Sequence, residues 1–298
     1  MSDQSTTPSG ESNGVDGARS ATADRAPAPA GACQAGDGSS LLLALRGVSK
    51  HFGPVQALTN VNLDIVAGKV TALAGDNGAG KSVLIKTISG IWHADHGEIL
   101  WEGKPVTIHS PKDAAALGIA TVYQDLALCD NLDIVQNVYL GREIAPRSVL
   151  DETSMERVAK QTLAGLSVTT VRSIRQPVGS LSGGQRQAVA VARAVMFAAR
   201  LVIMDEPTAA LGVAQTAMVL DVIRRLSSNG IAVIVISHNL NDVFAVADRI
   251  AVLHLGQMVA DGPASEFDRQ RVVELMTTGT HSALAASAPA VGANASEG

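Results

Sequence analysis

The stretch "KVTALAGDNGAGKSVLIKTISG", Lys69 to Gly90, decides the fold. Its opening, "KVTALAG", reads as a buried strand. Its close, "KSVLIKTISG", reads as a helix ended by Gly90. Between them "GDNGAGKS", Gly75 to Ser82, fits the pattern G-x-x-x-x-G-K-[ST]. Glycines there let the backbone turn tightly and aim its N–H groups at phosphate oxygens. The expected nucleotide-contacting set is Gly75, Asp76, Asn77, Gly78, Ala79, Gly80, Lys81, Ser82 and Val83. Lys81 is expected to reach the β- and γ-phosphates, and Ser82 to supply a hydroxyl to Mg²⁺.

The pattern extends on both sides of this loop. "LLLALRGVSKHF" and "VQALTNVNLDIVAG" read as antiparallel strands, and "GEILWEGKPV" as a hairpin. "IATVYQ", "LVIMDE" and "IAVIVIS" read as buried strands. Helices are expected from Lys81, from Leu181, from Val213 to Leu226 and near Asn241 to Ala247, with helical spacing between about 130 and 178. Strands alternating with helices predict an α/β fold with a largely parallel sheet. The expectation is a P-loop core, an antiparallel β region on its N-terminal side, and an inserted helical subdomain at approximately 130–200.

Acidic residues arrive where such a core would use them. "LVIMDEP", Leu201 to Pro207, is an apolar strand that delivers Asp205 and Glu206 at its C-terminal end. Asp205 is expected to hold Mg²⁺, largely through water, and Glu206 to polarise the attacking water. His238 ends another apolar strand and is placed to touch a γ-phosphate. Gln124 ends "IATVYQ", where its amide can reach Mg²⁺ or the water. A second phosphate-like element, "LSGGQRQAVAVARAV", runs from Leu181 to Val195. It sets Ser182, Gly183, Gly184 and Gln185 at the start of a helix, where free N–H groups and the helix dipole suit an anion.

Composition narrows the class. The 298 residues are 46% hydrophobic, enough for a sizeable core, and carry a net charge of -5. That balance argues against a nucleic-acid partner held by a basic surface. The two cysteines, Cys33 and Cys129, make no disulfide framework and point to a reducing compartment. No run reaches the ~18 apolar residues of a membrane span, and the N-terminal order is not that of a signal peptide. Residues 1–40 and 280–298 have too few large apolar side chains to offset ordering entropy and are expected to be disordered tails flanking a domain at 41–279. His93, His96 and His109 lack metal-ligand spacing, Trp92 and Trp101 read as packing residues, and no G-x-S-x-G element or Cys/His pair suggests nucleophilic catalysis.

Taken together the motifs resemble the ATP-binding subunit of ABC transporters. The phosphate loop, Gln124, "LSGGQRQ", "LVIMDEP" and His238 occur in that family's order, over about 42–276. The resemblance implies ATP with Mg²⁺, and a sandwich of two copies. In it Ser182, Gly183, Gly184 and Gln185 of one copy cap the ATP held by Lys81 of the other. It also implies that Phe52 stacks on the adenine. A membrane permease is the implied partner, facing residues between Gln124 and Arg142 at the cytoplasmic face of the membrane. An extracytoplasmic binding protein would choose the solute.

One departure stands out. The family's loop after "LVIMDEP" usually ends in aspartate; here "AALG", Ala209 to Gly212, ends in Gly212. "DEPTAALGV", "GDNGAGKS" and "YQDLALCDNLDIVQNVYLGRE" are similar to the ribose, xylose and fructose branch of sugar importers. The alternatives are a soluble ABC-type ATPase outside transport and a regulatory module that binds ATP without hydrolysing it.

Overall fold

A computed structural model of the chain describes residues 40–166 and 171–280. The tails expected at 1–40 and 280–298 lie outside these residues, save for their inner ends. In chain order the elements are β1 (Leu41–Phe52), β2 (Val55–Val66), β3 (Val70–Ala74), α1 (Lys81–Ile88), β4 (His96–Trp101), β5 (Lys104–Val106), α2 (Pro111–Ala116), β6 (Ile119–Val122) and α3 (Ile134–Tyr139). They continue as α4 (Glu152–Gly165), α5 (Gly183–Val195), β7 (Leu201–Asp205), α6 (Val213–Ser228), β8 (Ala232–Ile236), α7 (Leu240–Val246), β9 (Arg249–His254), β10 (Gln257–Pro263) and α8 (Arg269–Thr278).

Two sheets organise these elements. One has the order β2-β1-β4-β5 and is antiparallel. The other has the order β10-β9-β3-β8-β7-β6; its strands are parallel except for β10 at the edge. The central strands are apolar on both faces because both faces are covered. Alternation along β7 shows it: Leu201 and Ile203 pack towards the antiparallel sheet and α1, whereas Val202 and Met204 pack towards α5 and α6. On β8, Ile234 and Val233 divide the same way. A third, smaller core joins Val243 of α7 and Val272 and Leu275 of α8 to β9 and β3.

Four expectations need correction. The strand "IATVYQ" stops at Val122, so Gln124 stands two residues beyond it, in an exposed bend; β8 stops at Ile236, so His238 likewise stands two residues beyond its strand. The helical spacing of 130–178 resolves into α3 and α4, with tight single turns at Pro146–Ser148 and Val178–Ser180. Proline at 146 and 177 removes the N–H a continuous helix needs. Beyond Ala247 the sequence reading assigned nothing, yet β9, β10 and α8 form there. The β9–β10 turn has Leu255 at φ 43° before Gly256, and α8 buries only Val272 and Leu275, a thin apolar stripe.

Candidate active site

The site begins with strand register. Leu73 pairs with Ile236, Asp205 with Ile236, and Val122 with Met204. The C-terminal ends of β3, β8, β7 and β6 therefore lie in a row at one edge of the sheet, where ligands of parallel α/β sheets bind. The loops leaving these ends carry Gly75 to Ser82, His238, Glu206 and Gln124.

The glycine loop is shaped by its neighbours. Gly80 caps α1 at φ 101°, a conformation that L side chains rarely adopt, and a Cβ there would meet the Ala57 carbonyl at 2.9 Å. Because Gly80 offers no capping side chain, the first N–H groups of α1 remain for an anion. Asp76, Asn77 and Gly78 form the exposed crest, Ala79 is buried beneath it, and Ser82 and Val83 open the helix. Lys81 Nζ donates to the carbonyls of Gly75 at 2.8 Å and Asp76 at 2.9 Å, which holds the ammonium inside the loop. Burial lowers its pKa, while the carboxylates of Glu206, Asp76 and Asp205 act in the opposite direction.

The two acids of "LVIMDEP" part ways at the end of β7. Asp205 is still a strand residue; burial first, and then the Glu206 charge, raise its pKa, against Lys81 and Lys86. A carboxylate so placed favours a cation as company. Glu206 turns out of the strand at φ 49°, with its N–H donating to the Ile236 carbonyl at 3.0 Å. Its Oε1 lies 2.8 Å from His238 Nδ1. The imidazole is 68% exposed and the carboxylate only 17%, so the pair has its carboxylate inside and its histidine facing outward. Ser82, Asp205 and, from the next strand end, Gln124 are the oxygen donors that suit Mg²⁺.

The second glycine element lies elsewhere. Ser182 caps α5 in a full capping box: its Oγ accepts from Gln185 N–H at 3.4 Å, and Gln185 Oε1 accepts from Ser182 N–H at 2.9 Å. Gly183 and Gly184 face the start of α6. A Cβ on Gly183 would come within 2.7 Å of Leu211, and one on Gly184 within 3.2 Å of Gln215. The phosphate loop instead packs on Ala57, Leu58 and Leu253. The two elements thus rest on different parts of the fold.

Phe52 ends β1 with its ring partly exposed, edge-on to Trp92 at 4.7 Å and beneath Lys50 Nζ at 5.4 Å. Beyond Gln124 the chain is pinned by residues that sequence reasoning did not single out. Arg193 of α5 donates to the Leu126 and Ala127 carbonyls at 2.7 and 2.8 Å, and buried Asn137 binds both the N–H and the carbonyl of Cys129. A polar Asn inside the apolar run "IVQNVY" was the available signal. The pinned segment borders a groove of about 380 Å³ lined by Tyr123, Asp125, Leu140, Arg142, Arg193 and Phe197.

A glycine loop after β3 and an acid-bearing strand, β7, separated by β8 but ending at the same edge of a parallel sheet, define a P-loop nucleotide-binding protein. The ABC transporter family model matches residues 58–209, which include the glycine loop, Gln124, the Ser182 element and Glu206. The xylose/arabinose import ATP-binding protein XylG of Sulfolobus acidocaldarius is 46% identical over 237 residues, covering 80% of this chain and 94% of that protein. The fructose import ATP-binding protein FrcA of Rhizobium meliloti is 45% identical over 243 residues, covering 79% and 94%. Among solved structures, the ADP conformation of MJ1267, an ATP-binding cassette of an ABC transporter, is 27% identical with a TM-score of 0.68, covering 80% of this chain and 95% of that one. The chain belongs to the ABC transporter family, as an ATP-binding cassette. Among the described residues no helix is long and apolar enough to cross a membrane.

Proposed function

We propose that the chain hydrolyses ATP to power import of a monosaccharide through a separate membrane permease, working at the cytoplasmic face. The observation that carries the hydrolytic part is Glu206, turned out of the end of β7 and 2.8 Å from His238, beside Lys81 and Asp205. The sugar rests on the xylose/arabinose and fructose import relatives. Their names favour transport over an ATPase outside transport, and the intact acid–histidine pair favours hydrolysis over a purely regulatory module.

In this reading Lys81 and the N–H groups of Gly75 to Ser82 hold the β- and γ-phosphates. Ser82, Asp205 and Gln124 would hold Mg²⁺, which neutralises charge developing on the phosphate oxygens. Glu206 orients and polarises the attacking water, and His238 contacts the γ-phosphate. Phe52 offers its ring to the adenine. Ser182, Gly183, Gly184 and Gln185 of a second copy close the site. The groove beside Gln124 to Arg142 receives the permease, and an extracytoplasmic binding protein acts through that permease.

The test is direct. Glu206→Gln is expected to keep ATP binding and to lose turnover by about a hundredfold or more, whereas Lys81→Ala loses binding itself. Parental turnover in Glu206→Gln refutes the hydrolytic reading. Growth of a deletion strain on pentoses and hexoses, complemented by parent or Glu206→Gln, then tests import; growth on every sugar without the protein refutes it.

A further inference from the structure

Two loops meet at the hydrolytic edge, and they are joined twice. The outer rung is Glu206 to His238. The inner rung lies two residues on from Glu206 and four on from His238: Thr208 Oγ1 donates to Asp242 Oδ2 at 2.6 Å. Both members of this inner rung are buried, Thr208 at 9% and Asp242 at 7% exposure, whereas the His238 ring stands in solvent. Asp242 is itself fixed in the first turn of α7, where its N–H donates to the Asn239 carbonyl at 3.1 Å and the helix dipole favours its charge.

The outer rung needs such a partner. Glu206 has φ 49°, a conformation that a non-glycine residue keeps only when its surroundings over-determine it. One hydrogen bond from its own N–H to Ile236 anchors it on the β8 side. On the other side the chain passes through Pro207 to Thr208, and there the Asp242 carboxylate takes hold. We infer that Thr208 and Asp242 are positioning residues: their buried bond fixes the loop after β7 against α7 and so holds Glu206 and His238 at their working separation. Neither touches substrate. The inference rests on the hydrolytic reading of Glu206 above.

A positioning role differs from a merely structural one in what recovers when the bond is removed cleanly. Thr208→Val strips the hydroxyl and leaves a buried carboxylate without its donor. It is expected to lower kcat about tenfold or more and also to lower the melting temperature. Thr208→Ser restores the hydroxyl and is expected to restore kcat. The double variant Thr208→Val with Asp242→Leu removes both polar partners. Its melting temperature is expected to return towards the parent's, because no buried group is left unpaired, while kcat stays at the level of Thr208→Val. ATP affinity is expected to stay within about twofold throughout, since the phosphate loop is untouched. Parental kcat in the double variant overturns the inference, as does a Thr208→Ser variant no faster than Thr208→Val. Glu206→Gln runs alongside. If it turns over ATP like the parent, the assignment of Glu206 fails, and this inference falls with it. If it is dead while the double variant is parental, only the inner rung fails.

Discussion

At the scale of single residues, the site carries charge that the fold alone does not favour. The Asp205 carboxyl is raised above its ordinary pKa by burial and by Glu206, more than Lys81 and Lys86 lower it. A raised folded-state pKa means that the folded protein binds this proton more tightly than the unfolded chain does. The resulting stability is therefore present below the ordinary aspartate range and lost as pH rises through the folded value. At neutral pH the ionised Asp205 costs stability, a cost that a cation would relieve. Asp205→Asn removes the titration. It is expected to raise the melting temperature at pH 7.5 without nucleotide, to lose that gain below about pH 4, and to abolish any further Mg²⁺-dependent stabilisation by ATP. Scans of parent and variant across pH check this; a variant that melts below the parent at pH 7.5 contradicts it. Lys81 belongs to the same balance from the other side, held below its ordinary value by burial while three carboxylates oppose the shift.

At the scale of elements, the helix starts divide into two groups. Ser110, Asp133, Asp151, Ser182, Asn239 and Asp268 cap α2, α3, α4, α5, α7 and α8 with their side chains. Among the described residues only α1 and α6 begin at a glycine that lacks such a cap, Gly80 and Gly212. For α1 the proposed phosphate explains it. For α6 the backbone gives no reason: Gly212 has φ -75° and ψ 164°, open to any residue, and a Cβ there meets nothing within 4 Å. Gly212→Asp is therefore expected to stabilise the protein by about 0.5–1 kcal/mol, through a new cap and a less flexible unfolded chain. For a domain of this size that is a melting-temperature rise of roughly 1–4 °C, read by calorimetry; no rise would mean that the aspartate does not cap α6. The same helix starts show what was legible in the sequence. "GDNGAGKS" and "LSGGQ" announce themselves because turn, cap and helix are all local. So do the strands "LVIMD" and "AVIVI", whose unbroken apolar runs require cover on both faces. Contacts made across the sheet were not legible. Thr208 and Asp242 are 34 residues apart, and only the parallel pairing of β7 with β8 brings their loops together. The same holds for Arg193, which reaches back 66 and 67 residues to pin the chain beyond Gln124.

At the scale of the molecule, the separation of the two glycine elements sets the proposed assembly. The Ser182 element rests on Leu211 and Gln215, the phosphate loop on Ala57, Leu58 and Leu253. If each ATP lies between the phosphate loop of one copy and the α5 start of another, lesions in the two elements must combine across copies. Put Lys81→Ala in one copy and Ser182→Arg in the other, and purify the mixed dimer through two tags. With shared sites, one site takes Lys81 from the second copy and Ser182 from the first and is intact; the other carries both lesions. Put both changes in one copy opposite a normal one, and every shared site carries a single lesion. With sites built inside each copy, the two outcomes exchange places. Arginine at 182 makes the lesion severe, because it removes the Oγ that caps α5 and sets a long charged side chain at the start of that helix. ATP occlusion is the measurement to use, since hydrolysis can require both sites together. More occlusion in the first arrangement is expected. More in the second would place each ATP within a single copy and leave the Ser182 element without its proposed role.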